Sequence, residues 1–491
     1  MVSIENKMAS ATKWSSLAEA ASKFISPIVN MVLARILSPA HFGIVATINI
    51  VITFAEVFQD AGFQKYLIQH EFTSEKEYDE SANVAFWTNF GLSFFIWIII
   101  CIFRQHISVL VNNTGDLGFE IAIASISLPI FAFSSIQIAI CKRNFNFKKL
   151  FWVRLITSAI PLIITVPLAF VMRSHWALII GTIARNIAQS IVLLKGSWKP
   201  KLCYSFKKLQ EMLSFCIWTL IESITIWLTA NAATFIVTRT MGVDGVGLFK
   251  TSMNTVTGIT GIISAATLSV LFTSLSRVQN DNDKFNKLFY DYQRIVGLFV
   301  IPLGTGVLLY RELLTEIMLG RQWMACADFV GGYAFVCAIA IVTNLFFSEY
   351  YRAKGKPRVS TLAQVIYLCV MIPAVYISSH FGFTTLSVVT CILVLIFGLI
   401  HFVIFKLYFD MNIIDVLKNL MWIAVPTFVM SLFALITKSL YVHILWQITT
   451  VVLCVIIYFA MVLTIKTTRI WLRENDLTSG IYKKLKRIIN K

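Results

Sequence analysis

Two stretches decide how this chain is read: ARILSPAHFGIV, from Ala34 to Val45, and TRTMGVDGVGLF, from Thr238 to Phe249. They lie 204 residues apart, and each holds an Arg, a short turn and a Gly: Arg35 and Gly43, then Arg239 and Gly247. Trp14 and Trp218 stand at the same offset, each near the start of the apolar segment that leads into its motif. An echo this long exceeds a solenoid unit and suits two halves of one membrane protein.

Outward from the motifs the chain is apolar from end to end. Of its 491 residues, 57% are hydrophobic and only 14% charged, with mean hydropathy +0.76; a soluble domain carries about 25% charged residues. Fourteen runs are long enough to cross a hydrocarbon layer of ~30 Å. Numbered α1 to α14, they fall near 14–34, 42–63, 82–103, 119–141, 151–172, 176–194, 211–238, 246–272, 289–310, 325–348, 359–379, 383–405, 417–437 and 444–465. The runs are continuous, not alternating, which excludes a β-barrel. The expected fold is therefore an all-α polytopic membrane protein.

Orientation follows from Lys and Arg. The N-terminus, the even loops and the tail carry 30 of the 42, and the odd loops carry 7. This predicts both termini in the cytoplasm. It also accounts for the net charge of +17 without a nucleic-acid partner. The segment before Trp14 is short and polar, so α1 is expected to be an uncleaved span. Most of the nine cysteines lie within spans and lack paired spacing or His partners, so they read as packing residues.

The strongest interior break is KGSWKPKLCYSFKK, Lys195 to Lys208, with five lysines. It separates six spans from the next six. The halves share one orientation and are read as parallel repeats about an axis along the membrane normal. The expected organisation is a six-helix lobe at 1–205, a second at 206–410, and two extra helices with a basic tail at 411–491. A weaker echo supports it: Lys142, Arg143, Lys148 and Lys149 follow α4, and Arg352, Lys354, Lys356 and Arg358 follow α10. In the tail, Ile481, Leu485, Ile488 and Ile489 share one helical face ringed by basic residues, which suits an anionic leaflet.

Ionisable groups in a bilayer core are costly and point to function. In α1, Ser15, Glu19, Ser22, Lys23, Ser26 and Asn30 share one face. Glu19 and Lys23 are spaced for an i,i+4 ion pair, whose bland use is packing. Facing stripes recur in α7, with Thr219, Glu222, Thr225 and Thr229, and in α8, with Lys250, Asn254 and Thr257. Arg185 lies near the middle of α6. Arg154 and Arg294 lie near the cytoplasmic ends of α5 and α9, where snorkelling to the interface is the commoner use. Glu56 and Asp60 in α2 offer a cation or proton site, or a hydrated surface pair.

Together these residues imply an aqueous cavity between the lobes. Lys23, Arg185 and Lys250 are the candidates for phosphate, with Glu19, Asn30, Glu222, Asn254, Arg154 and Arg294 around them. Ser, Thr and Asn suit sugar hydroxyls. No Walker A loop, dinucleotide fingerprint, HExxH or Gly-x-Ser-x-Gly elbow occurs, so no enzyme and no cofactor are expected.

RILSPAHFGIVA resembles the polysaccharide transporter family of bacterial oligosaccharide flippases, as do FQDAGFQKYLIQ from Phe58, AFWTNFGLS from Ala85 and HWALIIGTIARN from His175. VLFTSLSRVQND from Val270 and LGRQWMACADF from Leu319 continue the ordered set, over roughly 10–410. The superfamily also holds multidrug extruders and the lipid II flippase. The resemblance implies two lobes with alternating access in the bacterial inner membrane. The implied cargo is an undecaprenyl-diphosphate-linked glycan, moved to the periplasmic leaflet for O-antigen, capsule or exopolysaccharide assembly. Implied partners are a polysaccharide polymerase and chain-length machinery. Directionality needs either a coupling cation, a proton or sodium ion, or a downstream sink, and the sequence does not choose between them. The alternative is a cation-coupled multidrug extruder. Two departures stand out: Ala233 replaces an Asp common before the second Arg–Gly motif, and Thr273 replaces a proline common in α8.

Overall fold

The computed structural model describes residues 4–60, 62–194, 198–409, 413–438, 440 and 443–465. The basic face of the tail, 481–489, lies outside them. The apolar runs fold as helices: α1 Ile4–Ile36, α2 Pro39–Asp60, α3 Glu75–Ile102, α4 Gly118–Arg143, α5 Phe147–Met172 and α6 Trp176–Leu194. Beyond the middle come α9 Asn282–Leu309, α10 Arg321–Ala353, α11 Pro357–Ser379, α12 Phe383–Phe409, α13 Ile413–Lys438 and α14 Ile444–Thr464. Ser74 and Asp281 cap α3 and α9 by accepting from the backbone N–H three residues on. Prolines inside α1, α9, α11 and α13 do not end them. Membrane helices tolerate this because neighbours re-satisfy the freed backbone groups.

The described residues hold thirteen helices long and apolar enough to cross a membrane when α7 and α8 are counted as one, against the fourteen runs expected. The difference is α7 and α8. They form one helical run, Phe206–Arg277, with a single break at Gly242 (φ 67°, ψ −168°). That left-handed φ is open to glycine at little cost, so α7 spans 206–241 and α8 spans 243–277. The first repeat turns at the matching place, between Ile36 and Pro39. The fold is all-α and polytopic.

The chain forms two compact units. The first comprises Met1–Thr251 and Val375–Phe383. In it α1 packs on α5, α6 on α4 and α5, and α3 on α4. At one end, Phe63, Leu67, Phe86 and Ile136 bury together with Met212 of α7. The lysine-rich connector is fastened to α3: Trp87 donates to the Lys201 carbonyl at 2.8 Å, and the Lys201 N–H donates to Asn83 at 2.6 Å. Lys208 pairs with Glu77 and Glu211, both at 2.9 Å, and these carboxylates hold its ammonium above the usual lysine range.

The second unit comprises Ser252–Ala374 and Thr384–Lys491. There α9 packs on α10 and α13, and α13 on α14. Its core is aromatic, with Phe285, Phe289, Phe346, Phe347, Tyr351 and Phe405 fully buried. Offset ring pairs such as Phe347 with Phe405, centroids 4.5 Å apart, add to the area they bury.

Each repeat ends its fourth helix in the same turn. Asn146 N–H reaches the Cys141 carbonyl at 2.8 Å across Phe145 (φ 55°), and Lys356 N–H reaches that of Tyr351 at 2.9 Å across Gly355 (φ 71°). A basic residue beside each turn holds the linker before the third helix. Arg143 donates to the Leu67 and His70 carbonyls at 2.8 and 2.7 Å. Lys354 donates to the Gln279 carbonyl at 3.0 Å. The weaker basic echo in the sequence therefore has a shared structural use.

Candidate functional site

The echoed motifs touch each other inside the first unit. A Cβ placed on Gly43 would stand 1.7 Å from the Val243 carbonyl oxygen, and one on Gly247 would stand 2.0 Å from that of Pro39. Pro39 and Val243 are themselves 204 residues apart. Each copy thus uses the same residues on the other, the signature of a two-fold contact. Only glycine permits backbones to approach this closely. Beside the contact, Arg239 donates to the Asn113 side-chain oxygen at 3.1 and 2.7 Å, and Asn113 donates back to the Arg239 carbonyl at 2.7 Å. Arg239 therefore has a bracing role. Asn113 was not singled out in the sequence, because a lone Asn in a turn carries no signal there.

Further along the spans, packing of α1 on α5 builds a cationic cluster. Glu19 accepts from Arg154 at 2.7 Å, while Lys23 stands 4.0 Å from the same carboxylate. The stronger partner is thus Arg154, not the i,i+4 lysine. Arg154 does not simply snorkel away; it is held between helices. Arg185 of α6 is close enough to Arg154 for the two charges to repel. Two cations, Lys23 and Arg154, thus meet one carboxylate, with Arg185 near Arg154, and all four residues come from apolar spans. Asn30 lies exposed three turns along α1 from Glu19.

The remaining candidates divide. Glu222 is tied to Lys65 at 2.8 Å, a partner 157 residues away on the short helix Phe63–Gln69. α7 is held at two more points: Trp227 donates to Thr53 of α2 at 3.0 Å, and Gly62, just past the end of α2, sits against the Thr219 hydroxyl. Lys250 is half-buried in α8 and has no ion-pair partner among the described residues. Asn254 is exposed and belongs to the second unit. Arg294, also of the second unit, donates to Asn419 of α13 at 3.1 Å. Asp60 keeps one buried carboxylate oxygen without a hydrogen-bond partner, so it is not simply a hydrated surface acid.

Two features escaped the sequence reading. His175, just before α6, stands 3.7 Å from Glu120 of α4, with the His41 ring of α2 6.0 Å from its own. These residues are more than fifty positions apart in the chain. The second is an apolar cavity of about 510 Å³ in the second unit, lined by Leu298, Pro302 and Val307 of α9, Met430 of α13, and Val451 and Tyr458 of α14. Among the described residues no three His, Cys, Asp or Glu side chains converge to hold a metal ion. All nine cysteines are free.

The profile of a family described as polysaccharide biosynthesis protein matches residues 32–328, more than half of the chain. The lipopolysaccharide biosynthesis protein WzxC of Escherichia coli (strain K12) is 23% identical over 77% of this chain and 76% of its own. The succinoglycan biosynthesis transport protein ExoT of Rhizobium meliloti (strain 1021) is 20% identical over 63% and 62%. The solved structure of the lipid II flippase MurJ, in an inward closed conformation, superposes with a TM-score of 0.75 at 16% identity, over 93% of this chain and 99% of that one. That likeness establishes the fold.

Proposed function

The chain belongs to the polysaccharide biosynthesis protein family, and from that premise we propose that it is a flippase for lipid-linked oligosaccharide repeat units. The observation that carries the reading is the pairing of Lys23 and Arg154 with the single carboxylate of Glu19, with Arg185 near Arg154. Its surplus of positive charge lies within spans, where uncompensated charge is expensive without a function. A diphosphate-linked sugar cannot cross hydrocarbon alone, because its charges and hydroxyl groups lose their water. Cations that meet the phosphates offset that loss. Lys250, half-buried and without an ion-pair partner among the described residues, is proposed as a further phosphate ligand, with Asn30 and Asn254 for sugar hydroxyls. Glu222 is proposed to set the charge balance through Lys65. The apolar cavity of the second unit has the chemistry an isoprenoid chain needs.

Transport is proposed to run by alternating access of the lobes 1–205 and 206–410 in the bacterial inner membrane, from the cytoplasmic to the periplasmic leaflet. Both termini are proposed to face the cytoplasm, on the Lys and Arg asymmetry of the loops. The cargo is proposed to be an undecaprenyl-diphosphate-linked glycan, passed to a polymerase. Replacing Lys23, Arg185 or Lys250 by Ala is expected to abolish surface polysaccharide in a complemented deletion strain while the protein stays in the membrane. Normal polysaccharide in all three variants sinks the assignment. Loss of drug resistance with intact polysaccharide supports a multidrug extruder instead.

A further inference from the structure

A second charged site lies in the second unit, between the starts of α9 and α13. A recess of about 370 Å³ opens there. α9 lends it Lys287, Asp291 and Arg294, and α13 lends it Asp415, Lys418 and Trp422. Three cations face two carboxylates, which leaves one positive charge in surplus. Asp291 acts on Arg294, so the surplus rests chiefly with the two exposed lysines.

The recess is rigidly built. Arg294 donates to the Asn419 side-chain oxygen at 3.1 Å. Asn419 is buried and donates in turn to the Tyr290 carbonyl at 2.9 Å and to Gln293 at 3.1 Å. Gln293, fully buried, donates to the Val342 carbonyl of α10 at 2.8 Å. Three helices thus fix the guanidinium in place. Positioned cationic groups suit phosphate oxygens.

The surroundings decide what kind of phosphate. Both helices enter from loops that the Lys and Arg asymmetry assigns to the cytoplasmic face. Trp422 is 39% exposed at the rim, the place an indole takes at a membrane interface. Beyond it α13 exposes Val425, Phe428 and Leu432 in succession. A phosphate in the recess therefore has an apolar track leading from it into the hydrocarbon. A soluble anion has no use for that track; an acyl chain does.

We infer that this recess binds the phosphate head group of an anionic phospholipid of the surrounding leaflet, with an acyl chain along the exposed face of α13. The site does not rest on the flippase reading, because a lipid held here is part of the protein's setting and not its cargo. It is also separate from the cluster around Glu19, which lies in the other unit.

Native mass spectrometry of the full chain in mild detergent tests it, with phosphatidylglycerol as the probe and phosphatidylcholine as its zwitterionic counterpart. The parent protein is expected to hold phosphatidylglycerol in preference. The Lys287→Gln/Lys418→Gln variant, which alters only exposed side chains, is expected to lose about twenty-five-fold in affinity, at about a factor of five per lysine. Lys76→Gln/Lys207→Gln, with exposed lysines elsewhere, is expected to bind as the parent does. Undiminished binding in the first variant overturns the site. Equal displacement by inorganic phosphate at the same concentration overturns the lipid assignment in favour of a soluble anion.

Discussion

Replacing Gly43 by alanine sets a methyl group where two helix backbones meet. Its carbon would lie 1.7 Å from the Val243 oxygen, and the reciprocal Gly247→Ala would lie 2.0 Å from that of Pro39. Ordinary contact between such atoms is near 3.2 Å, so the helices must part by roughly 1.5 Å. The obstacle is backbone on both sides and cannot rotate away as a side chain does. Overpacking of this kind costs about 1–3 kcal/mol. Thermal unfolding of the detergent-purified protein reads the loss, and each single variant is expected to melt lower than the parent. The double variant is the sharper test. Once the first methyl has parted the helices, the second enters space already opened. The combined loss should then fall short of the sum by about 0.5–3 kcal/mol. Unchanged melting in both single variants, or strict additivity in the double, refutes the reciprocal contact.

A double-mutant cycle through Glu19→Gln and Arg154→Gln is expected to show a coupling of about 0.5 kcal/mol or more in unfolding free energy; the cycle through Lys23→Gln should show less, and the reverse order would restore the intrahelical pair as the stronger one. A variant keeping Cys203 as its sole cysteine, exposed in the connector after α6, is expected to react with an impermeant maleimide only after the inner membrane is breached. Labelling in intact spheroplasts would reverse the proposed topology.

Much of this fold is legible because bilayer helices must be long and apolar, a property written locally in the chain. The repeat is legible for a related reason. Gly43 and Gly247 cannot be replaced where backbones touch, so they stay visible as an echo. What the residues do not disclose is which helices meet. Glu19 and Lys23 advertise a pair by their spacing, yet Arg154 comes closer because α1 lies on α5. Lys65 and Glu222, or His175 and Glu120, are joined only by tertiary packing. Between α7 and α8 a single glycine, Gly242, turns the chain, with no polar loop to mark the place.

The two halves share a backbone contact and differ in charge at matching positions. At the 204-residue offset, Glu19 and Lys23 correspond to Ser223 and Trp227, and that indole serves as a brace to Thr53. The matching turns at Phe145 and Gly355 stand 210 residues apart. Carried by that offset, Arg154 and Arg185 correspond to Gln364 and Leu395. None of the second-half counterparts is charged. The difference has a physical logic. A two-fold contact fails if either copy changes, so both glycines are held. A second copy of the Glu19 cluster at the matching in-span positions would double the cost of charge there and serve the cargo only if it carried two separated anionic groups. A Glu19 cluster with no charged copy at the matching positions suits a cargo with a single compact anionic group, which is what a diphosphate-linked glycan presents.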